Sequence, residues 1–236
     1  MQQIFEFPIA SSCTFDNFIV CDGNAAALRF ARRISDAAES ERLLYLHGPS
    51  GSGKTHLLKA IALAMATDGS SPPPYFSCRE SFSAETLISL FDGASALVVD
   101  DLQLMPDDTD IRAALWQLFN DFHETGRPVA LAGQPPPREL PYLDDHLVSR
   151  LLWGLVARVD ASDDSSRRMI LKKIADDRQV RVSDDVVDYI LATTSREVGE
   201  LISFFESIYR FSLTDKRRIT LPLARETRER IGPGAT

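Results

Sequence analysis

This 236-residue sequence lacks the features that define several protein classes. It has no run of about 18 apolar residues, which argues against a transmembrane helix. Its first residues carry neither a basic start nor a long apolar stretch, so no signal peptide is predicted. The three cysteines include no CxxC pair, so the sequence suggests neither a disulfide framework nor a zinc knuckle. We therefore expect no membrane association and a location in the reducing cytoplasm.

Positive charge is also scarce, which bears on nucleic-acid binding. The formal net charge is −8 and the pI is about 5.1. The acidic excess lies in residues 1–162, which hold 12 basic and 21 acidic side chains, whereas residues 163–236 are nearly balanced. Because proteins bind nucleic acids mainly by neutralising phosphates, the charge distribution gives no argument for DNA binding.

The composition that remains, 44% hydrophobic and 25% charged, is typical of a globular protein. Short apolar runs alternate with helical spacing up to about residue 160, and only helical patterns follow. This order predicts an α/β fold, a parallel sheet sandwiched by helices, followed by a small all-α domain. We place the boundaries at 1–14 for an N-terminal peptide, 15–161 for the α/β domain and 162–236 for the helical domain.

A complete phosphate-binding loop motif, G-x-x-x-x-G-K-[ST], follows the first predicted strand and precedes a predicted helix. Its residues, together with the histidine that follows, are Gly48, Pro49, Ser50, Gly51, Ser52, Gly53, Lys54, Thr55 and His56. The glycines let backbone N–H groups surround phosphate oxygens, and the helix N-terminus adds its dipole. Lys54 would contact the β- and γ-phosphates, and the Thr55 hydroxyl would bind Mg²⁺.

Two carboxylates follow a buried strand further along the chain. Residues 96–99 are apolar, and Asp100 and Asp101 come directly after them. Ligands of open α/β sheets bind at the carboxyl ends of the strands, so both side chains are expected beside the phosphate loop. We predict that Asp100 holds Mg²⁺, directly or through water, and that Asp101 polarises the attacking water.

These residues, taken together, resemble the DnaA family of AAA+ proteins. The resemblance rests on residues 48–56, on residues 98–103, on residues 13–20 with Asn24, and on residues 149–155. It covers nearly the whole chain, and it implies an AAA+ fold with a helical lid, ATP or ADP with Mg²⁺ as ligands, and a bacterial setting. It also implies that Arg150 is an arginine finger, which reaches the nucleotide of a neighbouring subunit. The alternative is that Arg150 forms a surface ion pair with Asp144 or Asp145.

Within that family the chain is most similar to the Hda-type regulators. No segment resembles the DNA-reading helix-turn-helix domain of DnaA, so direct sequence-specific DNA binding is not expected. No Lys or Arg lies between Arg79 and Arg112, where DnaA binds single strands. The partners that the resemblance implies are DnaA and the sliding clamp. The clamp would bind Gln3, Ile4, Phe5 and Phe7, unless these residues form an N-terminal strand that packs into the core.

Two positions depart from the DnaA pattern. Gln134 stands where DnaA has the sensor 1 aspartate, and Gly199 stands where it has the sensor 2 arginine. Arg196 is close in sequence, but it would point elsewhere on a helix. We therefore expect that nucleotide binding is retained and that hydrolysis by this subunit is weak, with Gln134 still able to hydrogen-bond a water.

Two other functions remain open from the sequence. The first is an autonomous ATPase that forms homo-oligomers and remodels DNA or loads replication proteins. The second is a nucleotide-gated adaptor that neither hydrolyses ATP nor binds the clamp.

Overall fold

The structure is a computed structural model that describes residues 13–66, 71–143 and 145–231. Gln3, Ile4, Phe5 and Phe7, which carry the predicted clamp contact, lie outside these residues. No helix in the described ranges is long and apolar enough to cross a membrane.

The N-terminal part is a five-stranded sheet in the order β2-β3-β4-β1-β5, and every strand pairing is parallel. The α/β prediction is therefore confirmed. Because parallel neighbours cannot be joined by a tight turn, the chain crosses over the sheet through helices between successive strands. The elements are α1 (Ala25–Ser35), β1 (Leu43–His47), α2 (Lys54–Ala64), β2 (Tyr75–Ser77), α3 (Ala84–Phe91), β3 (Leu97–Asp100), α4 (Thr109–Glu124), β4 (Val129–Gly133), α5 (Asp145–Leu151) and β5 (Leu155–Arg158).

Each face of the sheet has its own apolar core. One core includes Leu44, Leu46, Leu57 and Ile61 and joins α1 and α2 to the sheet, and the other joins α3, α4 and α5. The central strands β3 and β4 are buried along their whole length, as expected of parallel strands covered on both sides. Polar residues mark where helices begin, as at Asp108, whose side chain accepts hydrogen bonds from the first amides of α4.

Within the described residues, four helices follow the sheet and enclose a third apolar core. They are α6 (Asp164–Asp177), α7 (Asp184–Thr193), α8 (Val198–Thr214) and α9 (Leu221–Ile231). Their shared core contains Leu171, Val187, Ile190, Phe205 and Leu223. This confirms the predicted helical region after the α/β part. Helices α1 and α5 were not among the predicted elements, although α1 buries Ala27, Leu28, Ala31 and Ile34 at helical spacing.

Candidate functional site: a phosphate-binding loop between sheet and lid

The phosphate loop leaves β1 and runs directly into α2. Gly48, Gly51 and Gly53 all have positive φ, at 148°, 71° and 107°, which L-residues with side chains rarely adopt. At Gly51 there is a second reason why a side chain does not fit: an added Cβ would lie 2.2 Å from the Gly199 nitrogen. The glycine spacing of the motif is thus required by the backbone that it forms.

Lys54 is the buried cation of this loop. Its Nζ donates hydrogen bonds to the Gly48 and Pro49 carbonyl oxygens at 2.8 and 2.7 Å. Burial lowers the pKa of Lys54, and the nearby carboxylates Asp100 and Asp101 oppose that shift. The ammonium group is therefore held inside the loop, where an anion would meet it.

Asp100 is fully buried at the end of β3 and accepts three hydrogen bonds. Its Oδ2 receives the Thr55 hydroxyl at 2.5 Å and the Tyr75 hydroxyl at 2.8 Å, and its Oδ1 receives the Asp101 amide at 2.7 Å. Burial and the neighbouring Asp100 carboxylate raise the pKa of Tyr75. The carboxylate and the exposed Thr55 hydroxyl are hard oxygen ligands of the kind that Mg²⁺ prefers.

The described part of the chain contains no cluster of three or more His, Cys, Asp or Glu that could hold a metal by itself. A Mg²⁺ ion at Thr55 and Asp100 would therefore complete its shell with water and nucleotide oxygens, as Mg²⁺ commonly does.

Asp101 is held by three side chains that sequence reasoning did not select. Arg79 donates from Nε and Nη2 at 2.8 and 3.2 Å, Ser77 from its hydroxyl at 3.0 Å, and Gln103 from Nε2 at 3.1 Å. Burial favours the neutral acid, but these hydrogen bonds outweigh it and hold the pKa of Asp101 below its usual range. The carboxylate is ionised, yet it is engaged by partners within the chain rather than free to accept a proton.

Gln134 follows β4 and lies at the same end of the sheet. It lines a cavity of about 170 Å³ together with loop residues 50–55, Arg79 and Asp101. Its backbone N–H donates to the Gln103 side chain at 2.9 Å, and its carbonyl accepts from the Gly48 amide at 3.0 Å. Gln103 thus links Asp101 to the backbone of Gln134, beside the phosphate loop.

A second cavity, of about 340 Å³, adjoins the first at residues 51–53. Its core side includes Phe18, Ile19 and Asn24. Its lid side combines apolar side chains with two ion pairs, Lys173 with Asp177 and Arg178 with Glu206; the apolar residues are Ile170, Ile174, Val198 and Ile202. His56, in the first turn of α2, connects this helix to the segment before α1: its Nε2 is 2.8 Å from the Thr14 carbonyl oxygen and its ring meets the Phe18 ring edge-on. Burial lowers the pKa of His56, so the neutral imidazole is favoured here.

Together the two cavities have the character of a nucleotide site. The smaller one is polar and lies along the phosphate loop, and the larger one, which adjoins it, has a larger apolar surface. Ser52 supports this assignment, because its Oγ is buried and has no hydrogen-bond partner. In the part of the chain that the structure describes, only one other buried side-chain polar atom, Arg167 Nε, is unpaired. Since buried polar groups are normally paired, an unpaired hydroxyl in this loop fits a ligand with acceptor oxygens.

Gly199 lies in the first turn of α8 and touches the phosphate loop through its backbone. A Cβ added to Gly199 would lie 3.7 Å from the Gly51 Cα and 3.9 Å from the Ser50 hydroxyl, which is ordinary contact. Arg196 is exposed and lines neither cavity. The lid thus presents backbone to the loop at the place where the resemblance predicts an arginine.

Arg150 lies in the last turn of α5. It lines neither cavity, so it lies apart from the other predicted site residues. Its guanidinium lies over the Trp116 ring, 4.6 Å from the centroid, and bonds to the Asn120 side chain. The exposed Trp153 ring is 5.9 Å away. The Arg150 guanidinium contacts Trp116 and Asn120 and not Asp145, and Asp144 lies outside the described residues, so the alternative of a surface ion pair gains no support.

Comparisons with known proteins agree with this geometry. The family model of the bacterial DnaA ATPase domain matches residues 9–158, and that of the Hda lid domain matches residues 164–227. The chromosomal replication initiator protein DnaA of Thermoanaerobacter sp. (strain X514) is 28% identical over 230 residues, which cover 92% of this chain and 52% of that protein. The chain therefore spans about half the length of this curated relative.

Two solved structures share the fold. Domain III of the Thermotoga maritima replication initiation protein DnaA superimposes with a TM-score of 0.81 at 23% identity, covering 94% of this chain and 98% of that one. AMPPCP-bound DnaA from Aquifex aeolicus gives a TM-score of 0.71 at 22% identity, covering 87% and 70% of the two chains. These likenesses show that the architecture is that of an AAA+ core with its lid.

Proposed function

The chain belongs to the family of bacterial DnaA ATPase domains, and on that premise we propose that it is an Hda-type regulator of replication initiation. In this role it binds ATP or ADP, hydrolyses it weakly or not at all, and stimulates hydrolysis of the ATP bound to DnaA. The match of residues 164–227 to the Hda lid domain supports the choice of this subgroup. The protein would act in the bacterial cytoplasm.

The observation that carries the proposal is an imbalance within one site. The groups that would bind the phosphates and Mg²⁺ converge, since the Thr55 hydroxyl bonds to Asp100 and the Asp100 carboxylate acts electrostatically on Lys54 in the same loop. The groups that would drive hydrolysis do not converge in the same way. Asp101 is bound by Arg79, and Gly199 places no charged side chain at the phosphate loop. A protein with this arrangement holds a nucleotide without turning it over rapidly.

Each predicted residue has a separate part in nucleotide binding. Ser50, Gly51 and Gly53 would present their backbone amides to phosphate oxygens, and the unpaired Ser52 hydroxyl would donate to the same ligand. Thr55 and Asp100 would hold Mg²⁺, which supplies charge neutralisation to the phosphates when bound. The apolar cavity between Phe18, Ile19 and the lid would accept the adenosine part.

Arg150 would act on the nucleotide of DnaA rather than on the one bound by this chain. Its distance from both cavities supports a role outside its own site. Trp116 and Asn120 hold the guanidinium in one place, which lowers the entropy cost of presenting it to a partner. A positioned guanidinium stabilises the charge that spreads over a transferring phosphoryl group.

The experiment is a reconstituted reaction that contains this protein, the sliding clamp on DNA and DnaA loaded with ATP, scored for ADP formed on DnaA. We expect Arg150→Ala to lower stimulated hydrolysis by about 10³-fold, the effect typical of losing an arginine finger, with nucleotide binding unchanged. Arg29→Ala, at an exposed position on α1, is the control. Unaltered stimulation by Arg150→Ala would reject the role of this residue.

The same mixture distinguishes the other functions. Omitting the clamp tests whether the proposed contact through Gln3, Ile4, Phe5 and Phe7 is needed. Phosphate release by the pure protein at a rate typical of robust ATPases, increased by DNA and accompanied by homo-oligomers, would identify an autonomous ATPase instead. Nucleotide binding with neither hydrolysis nor stimulation of DnaA would identify a nucleotide-gated adaptor.

A further inference from the structure

Arg167 is a buried arginine of the lid that takes no part in the site described above. It lies on α6, the first lid helix, and is 2% exposed. Its Nη2 donates to the Ser195 carbonyl oxygen at 2.6 Å and to the Thr194 hydroxyl at 2.8 Å, and its Nη1 reaches the Asp164 carboxylate at 3.2 Å. A buried charge with these partners is costly to disturb, so it fixes the backbone that it contacts.

That backbone is the turn that leads into α8. Beyond the bonds from Arg167, the Ser195 amide donates to the Glu200 carboxylate at 2.8 Å, and the Glu197 amide donates to the Ser195 hydroxyl at 3.2 Å. The turn is thus held to α6 at one end and to the first turn of α8 at the other. Arg167 therefore connects α6 to the turn that precedes α8.

The first turn of α8 lies directly on the phosphate loop. An added Cβ on Gly51 would be 2.2 Å from the Gly199 nitrogen and 2.6 Å from its Cα, so the two backbones touch. Gly51 lines both cavities of the site, and Val198 lines the larger one. The contact between Gly51 and Gly199 therefore lies at the boundary where the two cavities meet.

We propose that Arg167 is a positioning residue that holds the start of α8 against the phosphate loop, and that this backbone contact slows the release of bound nucleotide. The inference rests on the proposed nucleotide binding. A lid arginine would grip the nucleotide through its phosphates and would distinguish ATP from ADP. A contact between two backbones makes no such distinction, so the lid should retard the release of both nucleotides alike.

The experiment measures the dissociation rate of fluorescent ADP and of a fluorescent non-hydrolysable ATP analogue, each chased with unlabelled nucleotide. We expect Arg167→Met to raise both dissociation rates by about tenfold, because it removes charge-assisted hydrogen bonds to the turn. Association rates should change little. Arg168→Met is the control, because this neighbouring residue forms only a surface pair with Asp188 and should alter the rates by less than about twofold.

Thr194→Val is a milder variant that keeps the volume of the side chain and removes one acceptor of Arg167. We expect it to raise both dissociation rates roughly threefold, because the hydroxyl's bonds to Arg167 and to the Ile190 carbonyl oxygen are lost while Arg167 keeps its bond to Ser195. Hydrogen exchange in the nucleotide-free protein should also become faster at the amides of residues 198–200. If circular dichroism shows that Arg167→Met has lost helix, the dissociation rates of Thr194→Val test the inference instead.

The outcomes are separable. Unchanged dissociation rates in folded Thr194→Val and Arg167→Met would reject the inference and leave the proposed function intact. Faster release of the ATP analogue but not of ADP would also reject the inference, since the lid would then act through the γ-phosphate. Failure of the wild-type protein to bind either nucleotide would overturn the proposed nucleotide binding itself, and this inference with it.

Discussion

The two walls of the candidate nucleotide site are built on different principles. The core wall brings a buried cation and a buried carboxylate, Lys54 and Asp100, to one end of the sheet. The lid wall combines apolar side chains such as Ile170 and Ile174 with charged residues that pair with one another, and it meets the loop through the backbone of Gly199. Under the proposed function, the core wall would bind phosphate and Mg²⁺, whereas the lid wall, whose cations are already paired with carboxylates, would enclose the nucleoside.

Under the proposed function, this difference implies that nucleotide binding and nucleotide hydrolysis can be lost separately. Binding depends on groups that the phosphate loop carries in eight consecutive residues, 48–55. Hydrolysis depends in addition on groups contributed by separate elements, and here Asp101 is engaged by Arg79 while the lid position is a glycine. A chain can therefore keep the first function as the second declines.

The largest expected effect is a loss of nucleotide affinity on changing the core wall. Lys54→Ala removes the cation that faces the phosphates, and we expect nucleotide affinity to fall by about 100-fold, since a charge-assisted interaction is lost. Isothermal titration calorimetry with ADP and ATP in the presence of Mg²⁺ measures the change. Lys172→Ala, whose ammonium pairs with Asp184 on the lid surface, should leave affinity unaltered. Equal affinities for Lys54→Ala and wild type would contradict the assignment of the core wall.

A smaller effect should follow from adding charge to the lid wall. A side chain can begin at residue 199, because an added Cβ meets its neighbours at 3.7 Å or more. We expect Gly199→Arg to increase single-turnover hydrolysis by this subunit about tenfold, by placing a guanidinium near the γ-phosphate. Gly199→Met, which adds length without charge, is the matched control. An equal rate in both variants would show that the missing charge does not limit hydrolysis.

The smallest effect concerns the ion pair between Arg79 and Asp101. The Arg79 side chain is more than half exposed, so solvent screening limits the contribution of the pair to about 0.5–1 kcal/mol of unfolding free energy. Because the pKa of Asp101 is lowered in the folded protein, this stabilisation is present at pH 7 and is lost as the pH falls below about 4.

Urea unfolding of wild type and Arg79→Met across this pH range measures the contribution. The two proteins should differ in unfolding free energy at neutral pH and converge in acid. A difference that grows as the pH falls would contradict the account given for Asp101.

The sequence predicted those parts of the site whose residues are close together both in the chain and in space. The phosphate loop is one, because its glycines, Lys54 and Thr55 act within a single turn and the start of α2. The end of β3 is another, because a buried apolar run fixes where Asp100 emerges. The helical spacing of the lid also predicted α7 between Asp184 and Thr193, where the structure has it.

The parts that sequence did not predict depend on elements far apart in the chain. Tyr75 reaches Asp100 only because β2 and β3 are adjacent in the sheet, and strand order is not encoded locally. Arg79 counted in the sequence only as the limit of a stretch without cations, yet it is the partner of Asp101. The stacking of Arg150 on Trp116 joins α5 to α4 in the same way.

By itself, the sequence determined that this chain forms a parallel α/β core with a phosphate loop and a helical lid, because glycine positions and apolar periodicity act within a few residues. Only the tertiary structure decided that Asp101 is engaged and that α8 meets the loop at Gly199. The reason is physical: such contacts form when packing brings distant segments together, and no local preference of either segment specifies them.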